Sequence, residues 1–183
     1  MPDTPADTER ELLSLLAARV RDAALRIDTA PSLQELTQAA QQVDALVVLL
    51  HDSGQRIERV ARLVGDLNRR LFARLWAMMA PSELIANSCL LVMGSEGRGE
   101  QIQKTDQDNA LLLRDGFACA ELHEITARFN AGVAALGWPP CPGNIMLTNP
   151  QWCAPVARFR ETVRDWVHGH DADGPMHLAI FFD

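Results

Sequence analysis

The sequence has 183 residues, of which 48% are apolar, and a formal net charge of −7, which is typical of one globular domain or of a helical unit joined to a compact α/β unit. The negative charge argues against a general nucleic-acid-binding protein, because phosphate backbones select basic surfaces. No apolar run approaches the roughly 18 residues that a membrane-spanning helix needs, and the polar, acidic N-terminus resembles neither a signal nor a transit peptide, so a cytoplasmic location is expected.

Residues 1–80 are predicted to form a stack of three antiparallel helices. Apolar residues recur every three or four positions in three segments, and short connections near residues 29–31 and 51–54 favour antiparallel neighbours. Ser32 and Glu35 form a capping box at the start of the second helix. The apolar stripes are Leu12, Leu16, Val20, Ala23 and Ile27; then Leu33, Leu36, Ala40, Val43, Val47 and Leu50; then Ile57, Val60, Val64, Leu67, Leu71, Leu75 and Met78.

A strand, a glycine-rich turn and a second strand follow the junction at residues 81–82. The apolar runs Cys89–Met93 and Ala110–Leu113 predict the strands, and the second one opens on Asp-Gln-Asp. Strand side chains alternate between faces, so Asp106 and Asp108 are expected on one side and Gln107 on the other. Two carboxylates held together favour a hard divalent cation such as Mg²⁺, bridged to phosphate oxygens.

The turn between the strands has the composition of a phosphate-binding site. Gly94 and the glycines at 97 and 99 let the backbone approach a ligand closely, next to the hydroxyl of Ser95. Arg98 and Lys104 add positive charge to the same loop. An acidic turn without a ligand is the alternative for Asp-x-Asp alone. The glycine turn ten residues before the acids favours a combined metal and nucleotide site.

The remainder of the chain is predicted to add two helices and a third strand. A helix runs from about Leu122 to Leu136 and ends at Gly137, and a proline-rich segment at 139–143 prevents helix. Residues 144–147 are predicted as a short third strand. The last helix starts at Pro155. The chain ends on the apolar run 179–182 followed by Asp183, which suggests a fragment of a longer protein.

Four cysteines are predicted to be reduced, partly buried thiols, because none forms a Cys-x-x-Cys pair. A zinc site built from Cys141, Cys153, His168 and His170 is the alternative, although this spacing matches no common zinc pattern. His123 is expected on the exposed side of its helix.

These motifs resemble a known family. Gly-Ser, a spacer of about ten residues and Asp-x-Asp are similar to the nucleotidyltransferase superfamily. The fuller string Gly-Ser-Glu-Gly-Arg-Gly-Glu-Gln with Thr-Asp-Gln-Asp-Asn-Ala-Leu resembles the nucleotidyltransferase domain related to the N-terminal region of PII-protein uridylyltransferase. The segments Leu136–Met146 and Asn149–Cys153 resemble the same group, so the likeness covers about residues 82–183 closely.

The resemblance implies an α+β fold, with a nucleotidyltransferase-type α/β domain and a short mixed sheet in residues 81–183, truncated at the C-terminus. It implies transfer of a nucleoside monophosphate from a nucleoside triphosphate to a protein hydroxyl, such as a tyrosine of a PII-like regulator, in bacterial signal transduction. Asp106 and Asp108 would hold one or two Mg²⁺ ions, with Asp183 as a third acid. Gly94, Ser95, Arg98 and Lys104 would bind the nucleotide.

Such domains often accompany CBS pairs and cyclic-nucleotide-binding modules, so attached sensor domains and a homodimer through the helical stack are expected. Many active superfamily members carry apolar residues where this chain has Gln107 and Asn109. The alternative interpretation is therefore an inactive nucleotide-binding or regulatory module.

Overall fold

The N-terminal part is a three-helix stack. A computed structural model describes the backbone of residues 5–182 and the side chains of residues 13–182. The helices are α1 (Pro5–Thr29), α2 (Leu33–Asp52) and α3 (Ile57–Met79), and each contacts the other two. The Ser32 hydroxyl caps α2 by accepting a 3.3 Å bond from the Glu35 backbone N–H.

The apolar stripes that the sequence predicted line the core of this stack, with one error. Leu36, Val60 and Leu71 are fully buried. Ile57 is 51% exposed, because it occupies the first turn of α3 and the buried stripe begins only at Val60. Leu12 lies outside the residues whose side chains the structure describes.

The α/β part contains a small mixed sheet. It comprises α4 (Ser82–Ala86), β1 (Ser88–Val92), α5 (Gly94–Gly97), β2 (Asn109–Leu113), α6 (Leu122–Ala135), β3 (Cys153–Pro155), α7 (Val156–Val167) and α8 (Gly174–Phe182). The strand order is β1-β2-β3, with β1 antiparallel and β3 parallel to β2. The α+β class with a short mixed sheet is thus confirmed.

The third strand is not where the sequence predicted it. Residues 144–147 are irregular, and β3 is Cys153–Pro155 instead. Asn144 has φ +54°, which ends any extended run, and the Leu147 N–H donates to the side-chain oxygen of Asn109 rather than to a strand backbone. One backbone bond, from the Asn109 N–H to the Ile145 carbonyl, and this one side-chain bond therefore stand where a strand ladder was expected.

Two buried clusters lie on opposite faces of the sheet. The larger is continuous from the helical stack to α6 and includes Leu111, Phe129 and Trp138. The smaller joins β2 to α7 and α8 around Trp152 and Trp166, and the C-terminal Ile180 and Phe181 pack against it. Within residues 5–182, no helix is long and apolar enough to span a membrane.

Candidate functional site

The end of the β1–β2 hairpin brings the glycine turn and the acids together. Val92 pairs with Asn109 at the last register position, and the Met93 N–H donates to the Asp108 carbonyl at 2.9 Å. Gly94 follows with φ +64°, and a Cβ placed there would lie 2.8 Å from Asp108 Oδ2. Only glycine therefore allows this close approach.

The two aspartates converge with a thiol. The ligand atoms of Asp106, Asp108 and Cys141 all lie within 4.8 Å of one another. Gln107 points away and is buried, as the strand-like alternation requires. Among the residues whose side chains the structure describes, this is the one group of three or more such ligands.

The electrostatics of Asp108 suit a bound cation. Burial raises the pKa of its carboxyl, the negative charge of Asp106 raises it further, and a hydrogen bond with Cys141 acts in the opposite direction. Asp108 Oδ1 is sealed from solvent without a hydrogen-bond partner. A divalent cation would satisfy this oxygen and remove the repulsion between the carboxylates, so these residues fit the metal that the sequence predicted.

A network of three buried amides fixes the acidic segment. The Gln107 amide donates to the backbone carbonyls of Asn130 and Trp138. Gln107 Oε1 accepts from Asn109 at 3.1 Å and from Asn130 at 2.6 Å, and Asn130 also donates to Asn109 Oδ1. These bonds tie the residues on either side of Asp108 to α6. The polar residues around the acids are thus structural supports.

The proline-rich segment is held against the same stretch by backbone bonds. The Gln107 N–H donates to the Pro139 carbonyl and the Asn109 N–H to the Ile145 carbonyl, each at 3.0 Å. Between these anchors, the Asn144 N–H donates to the Cys141 carbonyl and closes a turn. Cys141 therefore lies beside Asp108 because the chain is fixed on both sides of it.

A buried glutamate anchors the glycine turn to the helical stack. Glu96 is 5% exposed and accepts a 3.1 Å bond from Asn68 of α3. Burial raises its pKa to about 7, against the hydrogen bond from Asn68 and the charges of Arg69 and Lys104. Glu96 Oε1 has no hydrogen-bond partner. The turn therefore carries a carboxyl that titrates near neutral pH.

Comparison with known proteins identifies the family. The family described as "Putative nucleotidyltransferase DUF294" matches residues 41–173. The chain belongs to this nucleotidyltransferase family. No curated protein and no solved structure gave a match. The match begins inside α2 and runs past α7, so the matched region contains part of α2 and all of α3 together with the glycine turn and the acids.

The other predicted nucleotide ligands of this nucleotidyltransferase-like domain occupy different surroundings. The Ser95 hydroxyl accepts a 3.2 Å bond from Gln101. Arg98 lies on the exposed side of the turn, where its Nε pairs with Glu100 at 2.8 Å. Asp183 lies outside the described residues.

Lys104 turns towards the helical stack. Its ammonium contacts Asp44 at 2.8 Å and the Ala40 carbonyl at 3.3 Å, and it lies 4.8 Å from the centre of a Trp138 ring. The Lys104 ammonium therefore lies against α2, where Asp44 supplies the opposite charge.

Sequence reasoning missed Cys141, Glu96 and Asn130 as parts of this site. Cys141 was predicted as a reduced, partly buried thiol, with a zinc site as the alternative, and not as a neighbour of the acids; it is free and buried. The proposed zinc combination is not assembled, because the described metal-type group joins Cys141 to the aspartates instead. The one available signal was the segment Pro-Pro-Cys-Pro-Gly, which follows the helix that ends at Gly137. Its prolines prevent a helix and force the chain to cross in a non-helical path. His123 is exposed, as expected.

Proposed function

We propose that this chain is a Mg²⁺-dependent nucleotidyltransferase domain that transfers a nucleoside monophosphate from a nucleoside triphosphate to a hydroxyl group of a protein. The observation that carries the proposal is the Asp106–Asp108 pair against Gly94, with one Asp108 oxygen sealed and unpartnered. Membership of a nucleotidyltransferase family supports the reaction class.

In the proposed reaction, the acceptor oxygen forms a bond to the α-phosphorus, and the bond to the β-phosphate oxygen breaks and releases pyrophosphate. Asp106 and Asp108 would hold one or two Mg²⁺ ions. When bound, Mg²⁺ would neutralise phosphate charge and lower the pKa of the attacking hydroxyl. Gly94 allows the turn to lie directly against the Asp108 carboxylate because it has no side chain.

Ser95 and Arg98 are the proposed phosphate ligands of the turn. The Ser95 hydroxyl accepts its bond from Gln101, so its own hydrogen is directed elsewhere and suits a phosphate oxygen. Arg98, on the exposed side of the same turn, would offset the charge that develops on the leaving pyrophosphate. Asp183 is proposed as a third metal ligand from the resemblance alone.

The likeness of residues 94–109 to the uridylyltransferase-related domains supports UTP as donor and a tyrosine of a PII-like protein as acceptor, in bacterial signal transduction. The same likeness supports a longer protein in which sensor domains adjoin this one. A homodimer through the helical stack belongs to the same proposal.

A second candidate function is a nucleotide-binding or regulatory module that does not transfer. The observation that favours it is Lys104, since the cation expected at the phosphates is 9% exposed and paired with Asp44. A site with fewer cations would bind a triphosphate yet stabilise the leaving group less.

Thermal unfolding with each nucleoside triphosphate, with and without Mg²⁺, tests the proposal. A ligand at about a hundred times its dissociation constant adds roughly 2.7 kcal/mol to the stability. We expect a Mg²⁺-dependent rise of the midpoint in the wild type and none in Asp106→Asn/Asp108→Asn. That variant should fold normally, since it removes a like-charge pair.

The matched control is Asp52→Asn/Asp165→Asn, which makes the same change of charge at two exposed acids on α2 and α7. It should retain the full shift. An equal shift in both double variants contradicts the proposed site. Pyrophosphate release with a protein acceptor then separates transfer from binding alone.

A further inference from the structure

A buried thiol beside the two acids gives the site a ligand that Mg²⁺ does not use. Cys141 is 8% exposed, and its sulfur lies within 4.8 Å of a carboxylate oxygen of both Asp106 and Asp108. Mg²⁺ selects oxygen ligands, whereas thiolates select softer ions such as Zn²⁺ and Co²⁺. The same place in the fold therefore combines two ligand chemistries.

We propose that Asp106, Asp108 and Cys141 form a binding site for a thiophilic divalent cation of the Zn²⁺ class, which excludes Mg²⁺ from the acids and so inhibits the domain. The metal site stands on the geometry of the three side chains. The inhibitory consequence rests on the proposed function, because it requires that Mg²⁺ act at the same two carboxylates.

The position of the thiol is built into the fold. Backbone bonds from Gln107 to Pro139 and from Asn109 to Ile145 fix the chain before and after Cys141. These donors are the immediate neighbours of Asp108 on either side. The sulfur is consequently held beside the Asp108 carboxylate by backbone bonds from the acidic segment itself.

An independent observation points to a ligand at this place. Asp108 Oδ1 is buried and has no hydrogen-bond donor, although a buried carboxylate oxygen is costly to leave unpaired. Asp108 Oδ2 lies next to Gly94, where a Cβ would be 2.8 Å away. A cation between the Asp108 oxygens and the sulfur would satisfy the unpaired atom.

The ligand count fits a zinc-type ion. Two carboxylates and one thiolate leave a fourth tetrahedral position for water or for a phosphate oxygen. Binding breaks the S–H bond of Cys141, releases its proton to solvent and forms a sulfur–metal bond, with no change of oxidation state. Mg²⁺ would leave the thiol protonated, so the two metal states differ by one proton and one sulfur ligand.

Cobalt spectroscopy on the full 183-residue chain, freed of metal with a chelator, tests the site. We expect Co²⁺ to produce a thiolate-to-cobalt charge-transfer absorption in the wild type, and Zn²⁺ to displace it. The absorption should be absent in Cys141→Ser and Cys141→Ala, and Zn²⁺ affinity should fall about tenfold or more, since even outer-shell changes cost that much.

Cys153→Ser and Cys89→Ser are the matched controls, because Cys153 is partly buried and Cys89 is exposed. Both should retain the absorption. Thermal unfolding of each variant shows that it is folded. Absence of the absorption in the wild type, or its persistence in a folded Cys141 variant, would overturn the inference.

The outcomes separate this inference from the proposed function. If Mg²⁺ and a triphosphate stabilise the wild type but no sulfur–cobalt absorption appears, the thiol site is wrong and the proposed function stands. If the absorption appears and depends on Cys141 but no triphosphate binds, the metal site stands and the inhibitory role fails with the proposed function. If both appear, Zn²⁺ must abolish the Mg²⁺-dependent stabilisation; otherwise the exclusion is wrong.

Discussion

The helical stack and the α/β part keep their shapes by different means. The stack is held by apolar side chains at helical spacing, such as Leu36 and Leu71, with ion pairs such as Arg70–Asp28 on its outside. In the α/β part the strands have only five, five and three residues. Directional bonds from buried amides and a buried carboxyl position the acids there.

The candidate site thus depends on a few specific side chains, whereas the stack depends on the total apolar surface that it buries. Apolar contacts tolerate small shifts, but a metal site requires its ligands to be held within a fraction of an ångström. The two regions nevertheless share one core. Four substitutions can break or sharpen this comparison.

The largest effect is expected for Trp138→Ala, which removes the link between the regions. Trp138 is fully buried, its ring centre lies 4.9 Å from that of Phe72 of α3, and its N–H donates to Gln101 at 3.0 Å. The loss should be about 3–5 kcal/mol, in a single urea transition. Two separate transitions, with the stack unchanged, would show that the regions fold independently.

Glu96→Gln should remove a pH-dependent loss of stability. Because folding raises the Glu96 pKa from 4.5 to about 7, the folded protein binds a proton that the unfolded chain has released. The stability that the folded protein gains by binding this proton is complete below pH 4.5 and is lost as the pH rises through about 7.

Above pH 7, the free energy of unfolding of Glu96→Gln should exceed that of the wild type by up to about 3 kcal/mol, and the two values should converge near pH 4.5. Urea unfolding across this range measures the difference. The control Glu58→Gln, at an exposed position on α3, should follow the wild type. A parallel pH profile for Glu96→Gln would mean that Glu96 is not buried as described.

Asn130→Leu tests the amide network. It keeps the number and branching of the side-chain heavy atoms but removes the donor to Gln107 and Asn109. We expect a loss of about 2 kcal/mol, because buried acceptors are left with fewer donors, together with weaker metal binding. Thr126→Val on the same helix, whose hydroxyl bonds only to its own helix at His123, should cost less and leave metal binding intact.

The smallest effect is expected for Lys104→Met. The Lys104 side chain is 9% exposed, but its partner Asp44 is 56% exposed; because water reaches Asp44, we expect the pair to contribute only about 1 kcal/mol. Lys104→Met and Asp44→Asn should therefore lose similar, small amounts of stability, and neither should weaken triphosphate binding. A loss of binding in Lys104→Met alone would favour the sequence-based assignment of Lys104 to the phosphates.

Much of the fold could be predicted because helical periodicity and short apolar runs are local signals. They predicted α1–α3, β1, β2 and α6, and the acids just before β2. The helix predicted to be the last is α7, and α8 follows it. They misplaced β3, because the apolar residues 145–147 look like part of a strand, whereas the Asn109 side chain accepts the Leu147 N–H. Periodicity cannot show a side chain that replaces a ladder.

The sequence predicted that the acids and the glycine turn lie together, as they do, but it did not predict what surrounds them. Asp106, Asp108 and Gly94 are close in sequence and needed only strand alternation. Cys141 is 30 or more residues away from the acids in the sequence, and tertiary backbone bonds bring it beside them. Glu96 is buried where α3 packs over it. Such contacts have no local pattern.

The most direct test of the central claim is a Mn²⁺ titration followed by electron paramagnetic resonance, with Mn²⁺ in place of Mg²⁺ and a nucleoside triphosphate present. The free-ion signal should fall as Mn²⁺ binds the wild type and the control Glu100→Gln. Asp108→Asn should bind Mn²⁺ no better than the triphosphate alone does. Equal binding by the wild type and Asp108→Asn would contradict a metal site on these acids.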